Sequence, residues 1–294
     1  MKIIFHIAKN VLWFTCIVMT NQNTAQNSLL GQEVTYPTHY DPSVLFAIDR
    51  VPNRSELIIP SDWHGQDIWY AYEMSWLNNQ GKPIAAIGRF AFDWNSPFLV
   101  ESKSFKLYLN SYNETKFTST EEVRARLMHD LSALTQSTVE VAIYPLDQHY
   151  QGPSIQTLEG TLLDELDITI HHYQPEPKLL RCTDPAPIVT ESLISHLLKS
   201  NCPVTGQPDW GTVQIQYTGP AIDHAALLSY IVSFRKHTEF HEHCVERMYN
   251  DIMQYCRPEQ LFVMARYTRR GGLDINPWRS NFVTSVPDQR TPRQ

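Results

Sequence analysis

Two short stretches, Tyr108-Leu-Asn-Ser-Tyr112 and Tyr230-Ile-Val-Ser-Phe234, share one pattern at an offset of 122 residues (108 to 230), and that repetition decides the fold. Val123 matches Val245 in the same way. Around the first copy, Ser102 to Tyr112 and Thr120 to Leu134 have the apolar spacing of helices. Around the second, Asp223 to Lys236 and His241 to Tyr255 have it too. Strand patterns flank each helix pair. Ile68-Trp-Tyr-Ala-Tyr-Glu-Met-Ser-Trp-Leu77 is aromatic and β-prone, Asn78 to Pro83 is a turn, and Ile84 to Phe92 returns. Thr138 to Tyr144 alternates, and a further strand is predicted over 157–170. Val213 to Tyr217 and Leu261 to Tyr267 read as strands of the second half. Residues 188–199 stay open: Leu193, Ile194, Leu197 and Leu198 fit a helical period, while the β-branched start favours a strand. A duplicated ββααββ unit accounts for the order. It predicts an α+β chain with two antiparallel sheets, each bearing a helix pair on one face.

The boundaries follow from composition. Residues 20–65 are rich in Asn, Pro and Ser, so 19–66 reads as an extended arm. The first unit spans 67–172, and Pro175, Pro177, Pro185 and Pro187 mark 173–187 as a linker. The second unit spans 188–280 and a tail covers 281–294. Met1 to Val18 holds Lys2 and Lys9 with a short apolar run that is too short to cross a bilayer and has no small-x-small cleavage site after it. The expectation is that 1–18 precede a true start at Met19.

A formal net charge of -7 argues against a broad nucleic-acid face, which needs a basic surface. Cys16, Cys182, Cys202, Cys244 and Cys256 form no CxxC pair and are odd in number, which disfavours a disulfide scaffold and a zinc ribbon. A reducing compartment, the cytoplasm, fits this usage, with no membrane partner.

Asn201-Cys-Pro-Val-Thr-Gly-Gln-Pro-Asp-Trp210 is the most informative segment for chemistry. Two prolines and a glycine fix a tight loop, able to hold Cys202 and Asp209 towards one pocket. A thiolate is a nucleophile and a nearby acid can protonate what it attacks. On spacing alone, a buried loop cysteine with Asp209 capping a turn is the commoner arrangement. In Phe240-His-Glu-His-Cys-Val-Glu246, Glu242 sits at a helix start, where the dipole favours a carboxylate. Cys202, His241 and Cys244 would make an alternative zinc set, whereas Phe240, Cys244, Met248 and Ile252 have core spacing. Glu101-Ser-Lys-Ser-Phe-Lys106 opens a helix as either an ordinary charged first turn or an anion site. Arg266, Arg269 and Arg270 cluster beside Gly271 and Gly272, as a solvated turn or as a phosphate clamp. There is no GxGxxG, so a dinucleotide would not be held in the Rossmann manner.

Taken together, Val100-Glu-Ser-Lys-Ser-Phe-Lys106, Cys202-Pro-Val-Thr-Gly-Gln-Pro-Asp209, Phe240-His-Glu242 and Arg269-Arg-Gly-Gly-Leu-Asp-Ile-Asn-Pro277 resemble the long, tandem form of the NADPH-dependent 7-cyano-7-deazaguanine reductases, nitrile reductases of queuosine biosynthesis. The resemblance runs from about Asp67 to about Ser280. It implies two tunnelling-fold units, shared with GTP cyclohydrolase I-like enzymes, and makes 188–199 a strand. It implies that Cys202 attacks the nitrile carbon to form a thioimide while Asp209 protonates the nitrogen. Glu101 and Glu242 would accept from the pyrimidine edge, with Val100, Ser102 and His241 completing the substrate pocket. Ser102, Lys103, Arg270 and Gly271 would hold NADPH. No metal is implied, and neither is direct contact with nucleic acid. A homodimer is the family expectation.

Overall fold

The duplicated pattern reappears as duplicated hydrogen bonds. Tyr108 donates from its hydroxyl to Asp130 Oδ2 at 2.6 Å, and Tyr230 does the same to Asp251 Oδ2 at 2.6 Å. Ser111 Oγ bonds the carbonyl of Tyr108, and Ser233 Oγ that of Tyr230, each at 2.6 Å. In both halves the tyrosine thus ties the first helix to the second across a buried phenol–carboxylate contact.

The computed structural model describes residues 36–294. The expectations for residues 1–18 and for a start at Met19 lie outside the described residues. Before the first long hairpin come β1 (Ala47–Asp49) and the one-turn helix α1 (Val51–Arg54). The hairpin is β2 (His64–Leu77) and β3 (Pro83–Asp93). Next come β4 (Phe98–Val100), α2 (Ser102–Asn110), α3 (Thr120–Thr135) and β5 (Val139–Pro145). Two short strands, β6 (Ser154–Ile155) and β7 (Thr161–Leu162), lie in the connection. The second half holds β8 (Ile188–Asn201), β9 (Pro208–Pro220), α4 (His224–Ser233), α5 (His241–Cys256), β10 (Gln260–Tyr267) and β11 (Leu273–Ser280). Finally β12 (Gln289–Arg290) pairs with β6.

The architecture is α+β, with a correction to the sheet count. The two expected sheets are parts of one eight-stranded sheet, ordered β5-β3-β2-β11-β10-β9-β8-β7. The halves join where β2 pairs antiparallel with β11, from Ala71 opposite Leu273 to His64 opposite Ser280. Each strand would otherwise be an edge with an unpaired row of N–H and C=O groups, and pairing satisfies both rows.

The open segment 188–199 is a strand. Its misleading helical spacing has a cause: the register slips between Ser195 and Leu198, so a bulge breaks the two-residue alternation. The first half carries the same slip in β2, between Ala71 and Met74. The strand expected over 157–170 shrinks to Thr161–Leu162 and runs parallel to β8 at the opposite end of the sheet from β5. Asp164 draws it there, accepting from Ser195 Oγ at 2.6 Å and from the His196 N–H at 2.9 Å, at the bulge. No described helix is long and apolar enough to cross a membrane.

Each half has its own apolar core: Trp69, Phe90, Phe105 and Leu127 in one, Val213, Ile215, Leu227, Val245 and Met248 in the other. Between them lies a buried charge network. Arg50 meets Asp67 at 2.5 Å and Arg54 meets Glu246 at 2.6 Å. It ties α5 to β2 and to the segment before it. Burial pushes the Glu246 carboxyl up, but Arg279 and Arg54 outweigh that and hold it well below its ordinary range.

Candidate active site

The loop between β8 and β9 is pinned from both sides. The Cys202 N–H donates to the Gln207 carbonyl at 2.9 Å and the Gly206 N–H to the Cys202 carbonyl at 3.0 Å. Gly206 takes φ 68, a left-handed conformation that an L side chain rarely adopts. Cys202 is a free thiol, 8% exposed, and Asp209 is buried.

These two residues share a cavity with Val100, Ser102, His241, Glu242 and Arg270, walled by Ile48, Trp69 and Phe240. The site therefore draws Ile48, Trp69, Val100 and Ser102 from before residue 173, and Cys202, Asp209, Phe240, His241, Glu242 and Arg270 from the second half. Asp209 Oδ1 accepts from Arg270 Nη1 at 2.5 Å, while Gln207 Oε1 accepts from Nη2. Its other oxygen lies 3.4 Å from His241 Nε2, near enough for charge attraction but badly directed for a hydrogen bond. Burial pushes the Asp209 carboxyl up, and His241 and Arg270 more than reverse this, leaving it below its ordinary value. Asp209 is therefore a carboxylate in this arrangement.

Glu242, 3% exposed, behaves in the opposite way. Burial, then the negative charge of Asp67, pushes its carboxyl up to about 7. Glu101 is buried as well, but its carboxylate turns to the helix: Oε1 and Oε2 accept the N–H groups of Lys103 and Ser104, each at 2.7 Å. It is the N-cap of α2 and does not line the cavity. Lys103 lies two residues further on, in the first turn of α2.

Of the three clustered arginines only Arg270 reaches the site. Arg266 is buried and donates to the Gln289 carbonyl, and Arg269 lies over the Tyr72 ring at 4.8 Å. Gly271 lines a neighbouring groove with Lys106, Gly272 and Glu73. Lys106 belongs to the candidate anion segment but is not among the expected cofactor residues. Burial and Arg270 lower its pKa, and its charge also interacts with Glu101, Asp209 and Cys202. Its only signal was the helical i+3 spacing from Lys103.

These groups suit a phosphate-bearing cofactor. Arg270 and Lys106 supply charge, and Gly271 and Gly272, at φ 57 and 74, leave backbone bare. A Cβ on Gly272 would stand 2.5 Å from Glu73 Cδ. The zinc alternative finds no such support. Among the described residues, the potential ligand group is His237, Glu239 and Cys244, not Cys202 with His241 and Cys244. His237 and Glu239 already bond each other at 2.6 Å, and Cys244 is core, beside Met248 and Ile252.

Residues 36–143 match the family profile described as nitrile reductase, 7-cyano-7-deazaguanine reductase, N-terminal part, and residues 208–284 match that of QueF-like proteins. The NADPH-dependent 7-cyano-7-deazaguanine reductase of Bordetella pertussis is 53% identical over 271 residues, 91% of this chain and 98% of that protein. Its counterpart from Cupriavidus taiwanensis is 51% identical over 269 residues, 90% and 97% of the two. A buried thiol, a carboxylate and an arginine on one α+β sheet, with these matches, mark an oxidoreductase of the nitrile reductase class. The chain belongs to the NADPH-dependent 7-cyano-7-deazaguanine reductase family.

Proposed function

We propose that this enzyme reduces the nitrile of 7-cyano-7-deazaguanine to the aminomethyl group of 7-aminomethyl-7-deazaguanine, with NADPH as reductant, in tRNA queuosine biosynthesis. One observation carries the mechanism: Cys202 and Asp209 stand in the same cavity, on a hairpin whose loop is pinned by backbone hydrogen bonds. Cys202 forms a thioimide with the nitrile carbon. Asp209 is ionised before substrate arrives, so it cannot act first as an acid. It takes the Cys202 proton as sulfur attacks and passes that proton to the nitrile nitrogen. His241, beside it, steadies the charge as the proton moves. When bound, NADPH would supply hydride to the nitrile carbon twice, one NADPH for each transfer, and Cys202 would leave the carbon between the two. Ser102, Lys103, Arg270 and Gly271 hold that cofactor, with Lys106 added to the set.

Glu242 faces the cavity and suits the N–H and NH2 donors of the pyrimidine edge. Glu101 serves the same edge, with Val100 and Ser102 shaping the wall. Substrate arrival would then compete with the α2 cap for the Glu101 carboxylate. The matched Tyr–Asp and Ser–Tyr bonds support two tunnelling-fold units, 67–172 and 188–280. A cytoplasmic homodimer acting on a small molecule without direct nucleic-acid contact rests on the family resemblance.

Intact-mass measurement after incubation with 7-cyano-7-deazaguanine alone tests the reading. An adduct of the nitrile's mass is expected, and none in Cys202→Ala. Protein that turns over NADPH yet shows no adduct would remove Cys202 from its role.

A further inference from the structure

We propose that the face of the sheet away from the helices carries a second binding site, for a small organic acid. Arg266 takes its oxyanion, a carboxylate or a phosphate ester, while Phe262 and Met264 take its apolar body.

Alternation along β10 puts the site there. Leu261, Val263, Ala265 and Tyr267 point to the helix side and join the core formed with α4 and α5. Phe262, Met264 and Arg266 point the other way, and the first two pack with Ile68, Tyr70 and Trp278. On β9, Gln216 stands opposite Phe262 and Gln214 opposite Met264, so these amides share that face. Two chain segments rise beside this floor, 156–159 after β6 and 284–289 leading into β12. Together they enclose a cleft of about 320 Å³, at the lower end of the roughly 300–1,000 Å³ usual for small-molecule sites. The walls are tied to the floor and to each other. Gln214 Nε2 donates to the Glu159 carbonyl at 2.9 Å, Arg266 Nη1 to the Gln289 carbonyl at 2.6 Å, and the Gln156 N–H to the Arg290 carbonyl at 2.9 Å. The residues lining this cleft are distinct from those around Cys202.

Arg266 supplies the reason for an anion. It is 3% exposed, yet among the described residues it forms no ion pair and its Nε has no hydrogen-bond partner. A guanidinium keeps its charge even when buried, and such a charge is ordinarily matched by an oxyanion. The acids whose charge reaches it are engaged elsewhere. Asp274 accepts from Tyr72 and Asn276, while Asp288 accepts from Tyr70 and Tyr144 and pairs with Arg89. Burial lowers the Arg266 pKa despite the opposing effect of those groups, the mark of a cation short of negative charge. Of the lining residues Glu159 alone is acidic, and it is exposed.

An oxyanion at Nε completes the guanidinium's hydrogen bonds and offsets its burial. A bare inorganic ion is too small for the cleft, which has room for roughly ten waters. Phe262 and Met264 on the floor, with Val286 and Pro287 on the wall, present apolar surface to the remainder. The occupant is therefore an acid with an apolar body of about one ring.

The test is isothermal titration of the full chain with acetate, benzoate, inorganic phosphate and phenyl phosphate, with excess NADP+ present to occupy Arg270 and Lys106. A ring compound is expected to bind at least about tenfold more tightly than acetate or phosphate, because the ring buries apolar surface. Whichever of benzoate and phenyl phosphate binds better identifies the head group. Arg266→Gln should weaken that binding about tenfold or more. Glu159→Gln, which removes the lining acid, should strengthen it about twofold. Gln216→Trp leaves Arg266 in place and fills the cleft from the floor, so it should abolish binding, and it decides the matter if Arg266→Gln fails to fold. Acetate and phosphate binding as tightly as the ring compounds would mean an adventitious ion only and would overturn the site. So would no binding of any probe at about 10 mM, or binding that survives both Arg266→Gln and Gln216→Trp.

Discussion

Arg279 on β11 donates from Nη2 to Glu246 Oε1 on α5 at 2.7 Å, and both side chains are fully buried. From Nη1 it also reaches Asp67 Oδ1 on β2 at 2.9 Å. One guanidinium therefore binds the helix that carries His241 and Glu242 to the two strands that join the halves. Arg279→Ala would take a shared cation from two buried carboxylates that keep Arg50 and Arg54, and a loss of about 2–3 kcal/mol in unfolding free energy is expected, less than for a buried pair broken outright. Urea denaturation measures it. Arg279→Lys should recover only part, since an ammonium cannot match the two-sided fork.

Glu242 gives a pH prediction. Its carboxyl is pushed up to about 7 in the fold, against an ordinary 4.5. The neutral form stabilises the fold fully below the ordinary value, and that contribution is lost as pH rises towards 7. Glu242→Gln carries no charge to desolvate, so it should unfold at a higher temperature than wild type at pH 8. At pH 4 the two should be alike. The difference is about 3 kcal/mol at most. Substrate affinity should fall roughly tenfold or more in the same variant, because the acceptor for the pyrimidine edge is gone. Equal melting at pH 8 would mean that Glu242 bears no buried charge.

Glu101 caps α2 with both carboxylate oxygens. Glu101→Ala should cost about 1 kcal/mol in thermal or denaturant stability. Glu101→Ser keeps a capping oxygen and should restore most of that loss. If Glu101 also serves the substrate, the serine variant stays weak in substrate binding, which isothermal titration would show. Full recovery of affinity in Glu101→Ser would confine Glu101 to the cap.

Asp209→Asn should slow adduct formation by 100-fold or more, on the order of an acid–base group's usual contribution. Circular dichroism should be unchanged, because the amide fills the same space. An adduct rate within twofold of wild type, or about that, would take Asp209 out of proton transfer.

Much of the site was legible because its signals are local. Pro203, Gly206 and Pro208 announce the tight loop that holds Cys202, and Phe240-His-Glu announces a helix start. Other features depend on long-range pairing. The bulge after Ser195 imitates a helical period, and only the partner strand reveals it as a slip. β11 escaped notice because Pro277 lies inside it, opposite Asp67, where proline usually argues against a central strand. Alternation along β10 and the turn after it separates Arg266 and Arg269 from Arg270, a distinction that a basic cluster in sequence conceals. Lys106 resembled any solvated helix lysine until α2 was seen against the turn at Gly271.

The pairing of β2 with β11 also sets the order in which the enzyme can come into being. Its partners stand far apart in the chain, Ala71 against Leu273, so the middle of the sheet cannot form until everything between them has been made. Until then two half-sheets wait with bare inner edges, and the cavity lacks a side. Nascent chains stalled before β11 should be prone to sticking edge to edge. The cavity, which Ile275 helps to line, is complete only once β11 has been made and has paired.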